Sequence, residues 1–358
     1  MKYEFIKREN LKEKPQGDLG FSKYFTDYMF EMTWTDEEGW HDKKIRPYGP
    51  IEIDPSVMVL HYAQETFEGM KAYRNGDEVY LFRPEMNAKR FQNSNERMCM
   101  PKVDEVEFVE IIEELVDLER DWIPEGEGES LYIRPFMFAK EVTLGVKPSN
   151  EYSFLVTLSP VGQYYKEGIN PVKIFVEDQY IRAAQGGTGF VKCGGNYAAS
   201  LIAQERAEKL GYTQVLWLDG KHRKYVEEVG SMNAMFLVDD TIYTAPIDGT
   251  VLPGVTRDSV IKLLDEFDVK LKEEHFTIDF LIEMVKEGRL KEAFGTGTAA
   301  VISPIGELGY KGESFVINDF KTGELTQKLY DRLTGIQYGK LEDEYGWRRE
   351  VKTNKSEI

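Results

Sequence analysis

One lysine stands among five glycines in the segment GGTGFVKCGGNYAAS, Gly186 to Ser200, just ahead of a helical stretch. A lysine in such a setting could serve a phosphate, a dinucleotide or a carbonyl. A phosphate loop needs Gly-Lys followed by Ser or Thr. Here Val191 precedes Lys192 and Cys193 follows it. A dinucleotide GxGxxG fails as well, because Lys192 takes the place of the third glycine. Two readings remain: an ordinary glycine-rich turn with a solvated lysine, and a lysine that attacks a carbonyl to form a Schiff base. The second needs a neutral amine, and burial among small apolar residues favours that form. Flanking glycines would let the backbone close around a flat cofactor.

Such a lysine gains meaning only with partners. Pyridoxal phosphate acts as an electron sink when a carboxylate keeps its ring nitrogen protonated. YVEEVGSMN, Tyr225 to Asn233, places Glu227 and Glu228 at a strand end before Gly230. Alternation sends these two carboxylates to opposite faces, so one of them can point inward. A buried carboxylate needs a cationic partner, which a pyridinium supplies. A phosphate needs N–H donors and a fixed positive charge. LPGVTR, Leu252 to Arg257, leads into a helix whose first N–H groups make an anion site, and GTGTAA, Gly295 to Ala300, adds a second glycine-relieved turn with the Thr298 hydroxyl. Taken singly, each is an ordinary pair of glutamates or an ordinary capped turn.

The elements that must position these groups alternate between strand and helix. Val57–Tyr62, Glu78–Phe82, Ser130–Phe136 and Ser153–Leu158 read as strands, with Asn75-Gly76 as a hairpin turn. Asp104 to Trp122 reads as a helix, with Phe108, Val109, Ile112, Leu115 and Val116 on one face and Asp104 with Glu107 as a capping box. Gly162 to Pro171 is the linker candidate. Beyond it, Val172–Val176 is a strand and Tyr197 to Leu210 a helix stopped by Gly211. Gln214–Leu218 and Lys224–Val229 form a hairpin around Asp219-Gly220, followed by strands Met235–Val238 and Thr241–Thr244. Helices are expected over Thr256 to Phe267, Asp279 to Lys286 and Leu325 to Thr334, the last stopped by Gly335. Glu350 to Ile358 is expected to be frayed. No repeat, heptad array or low-complexity tract occurs.

The 358 residues favour two domains. A hydrophobic fraction of 41%, with 20 Phe and 20 Tyr, supplies a large core and excludes disorder. The net charge of −18 speaks against binding a nucleic-acid backbone, though a local arginine cluster can still take an anion. No apolar run reaches the roughly 20 residues that span a bilayer. The start MKYEFIKREN has no apolar h-region, and the two cysteines, Cys99 and Cys193, form no disulfide framework. A cytoplasmic protein is expected. The four histidines, His41, His61, His222 and His275, have no metal-ligand spacing, so no metal is expected.

FEGMKAYR, LFRPEMNAKR, LYIRP, FVKCGGNY, EEVGSMN, LPGVTR and FGTGTAA follow one another in an order that resembles the branched-chain amino-acid aminotransferases, which are fold type IV pyridoxal-phosphate enzymes. The resemblance runs from about Phe21 to Gly339. It implies a two-domain α/β (α+β) fold. The smaller N-terminal domain would cover 1–162, a linker 163–171, and a larger C-terminal domain 172–358 would carry the lysine and most of the cofactor site. It implies pyridoxal 5'-phosphate as cofactor, and ping-pong transamination between Leu, Ile or Val and 2-oxoglutarate in a homodimer, with small amino and 2-oxo acids as the only partners.

By the same resemblance Lys192 is the Schiff-base lysine and proton shuttle. Glu228 pairs with the ring nitrogen, and Tyr197 bonds the phenolate oxygen. Arg90, Val255, Thr256 and Thr298 hold the phosphate. Ser231 stands where many relatives carry threonine and keeps the hydroxyl. Phe25, Tyr62, Tyr132 and Tyr164 line the substrate pocket, Arg134 meets the glutamate side-chain carboxylate, and N–H groups near Thr298 and Ala299 meet the α-carboxylate. Leu144 and Val146, in TLGV, complete the neighbouring subunit's site. Some relatives have CxxC after the second turn. This chain has Ala300 and Ser303 there, so no thiol switch is expected. Within the fold, the rivals are a D-amino-acid aminotransferase and an aminodeoxychorismate lyase. A non-catalytic phosphate-binding module is the rival of another class.

Overall fold

The structure, a computed structural model, describes residues 2–164 and 169–353. Two compact units share the chain: Met1–Tyr164 with Lys192–Gly194 and Gly335–Ile358, and Tyr165–Val191 with Gly195–Thr334. The expected boundaries were simpler. The first unit recovers Lys192–Gly194 because Phe67 N–H donates to the Lys192 carbonyl (3.1 Å) and Lys192 N–H donates to Ser94 Oγ (3.0 Å). It recovers the C-terminal tail because Arg348–Glu350 pairs antiparallel with Glu78–Phe82 and Val351 is buried. The tail therefore adds an edge strand just ahead of the segment where fraying was expected, and of that segment Glu350 is paired and Val351 buried. The expected linker, 163–171, includes residues 165–168, which lie outside the described residues, as do 354–358 of the tail.

In the first unit a mostly antiparallel sheet runs in the order Glu4–Phe5, Gly39–Pro47, Tyr28–Thr35, Glu151–Val161, Ser130–Ala139, Met70–Asn75, Glu78–Phe82, Arg348–Glu350. The short strand Glu65–Phe67 also pairs with Ser130–Ala139. Side chains alternate across such a sheet. Phe30, Met32, Leu131, Ile133, Phe154 and Val156 face one side and pack against helices Pro84–Arg97 and Glu105–Leu118 through Phe91, Phe108, Ile112 and Leu115. The alternate residues of the same strands, among them Tyr132 and Arg134, are thereby turned to the other face.

The second unit's sheet runs Val226–Val229, Gln214–Leu218, Val172–Glu177, Val301–Tyr310, Leu290–Gly297, Met232–Val238, Thr241–Thr244, Lys270–Glu273. Val226–Val229 also pairs with Met232–Val238, so six of these strands close into a ring around Ile174, Leu216, Val229, Phe236 and Leu308. Closure leaves no free edge among those six strands, and an edge of the sheet falls on Lys270–Glu273.

Several local readings change. Met58–Tyr62 is a one-turn helix, not a strand; only Met58 of it is buried. Asp104 caps its helix by accepting from the N–H groups of Val106 and Glu107, but the Glu107 carboxylate pairs with Lys43 instead of closing a capping box. The helix expected from Tyr197 breaks into Gly194–Ala198 and Leu201–Lys209. Asp219 organises a longer loop rather than a tight turn: its carboxylate accepts from the N–H groups of Lys221, His222, Lys224 and Tyr225, which hold it near pKa 2 against the upward push of burial. The last helix runs Glu324–Gln337 straight through Gly335. Gly335 lies inside this helix beside the Leu341 side chain and does not terminate it.

Candidate active site

In the first unit Lys192 sits on the sheet face opposite the helices. Its Nζ lies 4.8 Å from the centroid of the Phe67 ring, and the Arg134 guanidinium lies 4.7 Å from the same centroid. Arg134 Nη2 donates to Tyr132 Oη (2.8 Å), which follows from their i, i+2 placement on Ser130–Ala139. The amine, the guanidinium and the phenol thus surround one aromatic ring. Gly194 N–H donates to Glu65 Oε1, and a Cβ at Gly194 would strike that oxygen, which is a direct use for one of the glycines around the lysine. A Cβ at Gly69 would strike Tyr132 Oη in the same way.

Glu68, overlooked in FEGMKAYR, is fully buried beneath this group. Arg90 grips it in a two-pronged ion pair, Nε to Oε1 at 2.7 Å and Nη2 to Oε2 at 2.8 Å, and Asn87 Nδ2 adds a bond to Oε2 at 2.8 Å. Burial pushes the Glu68 carboxyl up. The charges of Arg90 and Lys192 and the Arg90 and Asn87 hydrogen bonds outweigh that push and hold it below the usual carboxylate range. Arg90, expected at a phosphate, is thus fixed in orientation by a carboxylate from the chain itself.

The second unit carries the other donor set. Both glutamates are buried, Glu227 at 7% exposed and Glu228 at 2%, so neither is a surface residue. Glu228 meets Arg182 Nη1 (2.7 Å), Asn233 Nδ2 (3.0 Å) and the N–H of Leu252 (3.4 Å). Glu227 accepts from Thr250 Oγ1 (2.7 Å); burial raises its pKa, against the pull of that bond. Glu228, Asn233 and Thr296 lie opposite one another on three neighbouring strands, so their side chains share one face. Asn233 stood in the motif EEVGSMN. Thr296 stood in GTGTAA, where only Thr298 was singled out, and Arg182 carried no signal of its own.

Helix Val255–Leu263 begins at Gly254 with no side-chain cap, and Val255 and Thr256 are both buried. A Cβ at Gly254 would collide with Asn233 Oδ1, so this turn can approach Glu228's partner only as glycine. Tyr197 and Ser231 line a cavity of about 320 Å³ together with Arg182, Asn196 and Leu252. Thr298 and Ala299 sit half-buried at the turn between Leu290–Gly297 and Val301–Tyr310.

Not every expected pocket residue joins these groups. Phe25 stacks on Tyr48 (4.7 Å, 6°), whereas Phe21 makes the edge contact with Tyr132 (5.0 Å, 68°). Tyr164 is half exposed. Tyr62 donates through its hydroxyl to the Leu144 carbonyl, and with Leu60, Val142, Leu144 and Val146 it forms an exposed apolar patch. Among the described residues no group of three or more His, Cys, Asp or Glu could hold a metal, and no helix is long and apolar enough to cross a membrane.

Each unit taken by itself carries donors of a kind that a phosphorylated pyridine aldehyde can use: the first an amine, the second a buried carboxylate and a buried, uncapped helix start. The profile of the Amino-transferase class IV family matches residues 65–308, and the chain belongs to that family. Its architecture is that of fold type IV pyridoxal-phosphate aminotransferases. Within the class, the chain is 54% identical over 352 residues to the probable branched-chain-amino-acid aminotransferase of Staphylococcus epidermidis, covering 98% of each chain. It is 52% identical to branched-chain-amino-acid aminotransferase 2 of Bacillus subtilis, over 95% of this chain and 94% of that one. The T.th. branched-chain amino acid aminotransferase, solved with pyridoxamine 5'-phosphate, superimposes with a TM-score of 0.74 at 26% identity, over 90% of this chain and 98% of that chain. The chain is a member of the branched-chain amino-acid aminotransferases.

Proposed function

We propose that this aminotransferase moves the amino group of Leu, Ile and Val to 2-oxoglutarate, giving the branched-chain 2-oxo acids and L-glutamate in a ping-pong cycle. The observation that carries this reading is the Phe67 ring shared by Lys192 Nζ and Arg134. An apolar ring suits an aliphatic side chain, and a guanidinium beside it suits a carboxylate, so one pocket can serve both half-reactions.

Pyridoxal phosphate, when bound, supplies an electron sink that makes the substrate Cα–H acidic. Lys192 would carry the cofactor and move the proton between Cα and the cofactor carbon. Glu228, anchored by Asn233 and Arg182, would keep a proton on the ring nitrogen. Tyr197 would donate to the phenolic oxygen, and Ser231 would keep a hydroxyl nearby. Arg90, the N–H groups of Val255 and Thr256, and Thr298 would bind the phosphate, and the turn at Thr298 and Ala299 the substrate α-carboxylate. Arg134 would meet the side-chain carboxylate of glutamate, with Phe25, Tyr62, Tyr132 and Tyr164 around the aliphatic chain.

The exposed patch of Leu60, Tyr62, Val142, Leu144 and Val146 supports a homodimer in which Leu144 and Val146 reach the neighbouring site. A cytoplasmic setting fits the two free thiols. An amino-donor screen with 2-oxoglutarate as acceptor tests the reading. Leu, Ile and Val should be the best donors. Preference for D-amino acids, or elimination of pyruvate without transfer, would replace it with another activity of the same fold.

A further inference from the structure

Lys71 belongs to no role derived so far. It lies in Met70–Asn75 directly opposite Tyr132, and its neighbours Met70 and Ala72 point into the core against the helices. Alternation therefore turns Lys71 to the other face, beside Tyr132 and diagonally from Arg134. It is only 8% exposed there. The same face carries Ser130, 0% exposed, and Ser159, 3% exposed and opposite Tyr132. The hydroxyls of both serines and Arg134 Nε are buried without a hydrogen-bond partner among the described residues. Buried polar groups normally find partners. A buried ammonium, a half-buried guanidinium and two buried hydroxyls on one sheet face form a built site for an anion.

We infer that Lys71 is a second cation of the wall that receives the side-chain carboxylate of the dicarboxylic substrate, acting beside Arg134 as a specificity-determining residue. The inference rests on the transamination reading above and names a residue of that same pocket. Arg134 gives a planar fork, Lys71 a point charge on a flexible stem, so together they can hold both oxygens of a carboxylate. An aliphatic substrate chain gains nothing from the amine, and discrimination follows.

Burial pulls the Lys71 ammonium down to a pKa of about 8. The amine is thus charged below that pH and neutral above it. The titratable and charged groups turned to the same face on the elements around it include Tyr73 on its own strand, Tyr132 and Arg134 on one neighbouring strand, Tyr80 and Glu78 on the other, Arg348 and Glu350 beyond that, Glu65 on Glu65–Phe67, and Lys192. A ratio of two half-reactions on one enzyme cancels whatever these groups and the cofactor contribute equally to both.

The test uses single-turnover spectra of the holoenzyme with glutamate and with leucine as donors. Lys71→Met should slow the glutamate half-reaction about tenfold or more, the scale of one charged hydrogen bond, and change the leucine half-reaction less than about twofold on the same scale. Lys71→Arg should restore part of the glutamate rate. In the unsubstituted protein the glutamate-to-leucine ratio should fall as pH rises through about 8. Equal losses on both donors, or no loss, would overturn the assignment. A flat ratio across pH 8 in the unsubstituted protein would do so without any variant. Leucine conversion by the unsubstituted protein reports separately on the transamination reading, so failure of one is not mistaken for failure of the other.

Discussion

Replacing Glu228 by glutamine separates its two contributions, structural and catalytic. The carboxylate forms a buried ion pair with Arg182, side chains 3% and 7% exposed, and accepts from Asn233. Removing one partner of a buried pair costs about 3–5 kcal/mol, because the other charge is left without compensation. Arg182 also donates to the carbonyls of Gly189 and Thr250, which keep it partly satisfied, so about 3 kcal/mol is expected here. The catalytic loss is a separate quantity. Losing one preorganised electrostatic contact costs about 3 kcal/mol of transition-state stabilisation, a hundredfold or more in rate. The double variant Glu228→Gln, Arg182→Met removes the stranded charge. It should regain much of the stability and none of the rate. Urea unfolding measures the first, and single-turnover absorbance with leucine measures the second. If the rate returns together with the stability, Glu228 only holds the fold. If Glu228→Gln alone turns over normally, the ring nitrogen's partner is Glu227 or neither residue.

Arg134→Met should cost the glutamate half-reaction about tenfold to a hundredfold, the worth of roughly 1.5–3 kcal/mol for a charged hydrogen bond, and the leucine half-reaction much less; equal losses in single-turnover spectra would reduce Arg134 to a packing role. Glu119, whose carboxyl burial raises from 4.5 to about 8, accepts from the Tyr28 N–H. Its folded pKa exceeds its unfolded one, so its contribution is full below about pH 4.5 and is lost as pH rises through about 8. Glu119→Gln should flatten that decline in a Tm-against-pH series, and an unchanged slope would rule Glu119 out as its source. Light scattering should find at least a dimer, and Leu144→Asp with Val146→Asp should weaken it, because charges would enter the apolar patch; an active monomer would remove both residues from the site.

The family's motifs were more legible than the scaffold. Lys192, Glu228 and the turns at Val255 and Thr298 stand in contiguous motifs, where glycine marks a close backbone approach such as that of Gly254 to Asn233. Glu68 was missed because its role is set by Arg90, 22 residues away, and no local spacing encodes that pairing. Arg182 was missed for the same reason. Val57–Tyr62 misled because a short apolar run does not separate strand from helix by periodicity. Leu60 and Tyr62 are apolar yet exposed, which fits a surface turned toward another molecule rather than a core strand. The return of Lys192–Gly194 and of the tail to the first unit depends on hydrogen bonds between segments roughly 100 to 270 residues apart, which no pattern along the chain reports.

The central claim is that one lysine carries the cofactor. Borohydride reduction of the protein loaded with pyridoxal 5'-phosphate, followed by proteolysis and peptide mapping, tests it directly. The phosphopyridoxyl label should lie on the peptide containing Lys192, and Lys192→Ala should stay folded and take no label. A label on Lys71, the buried lysine opposite Tyr132, or on any other lysine would contradict the account.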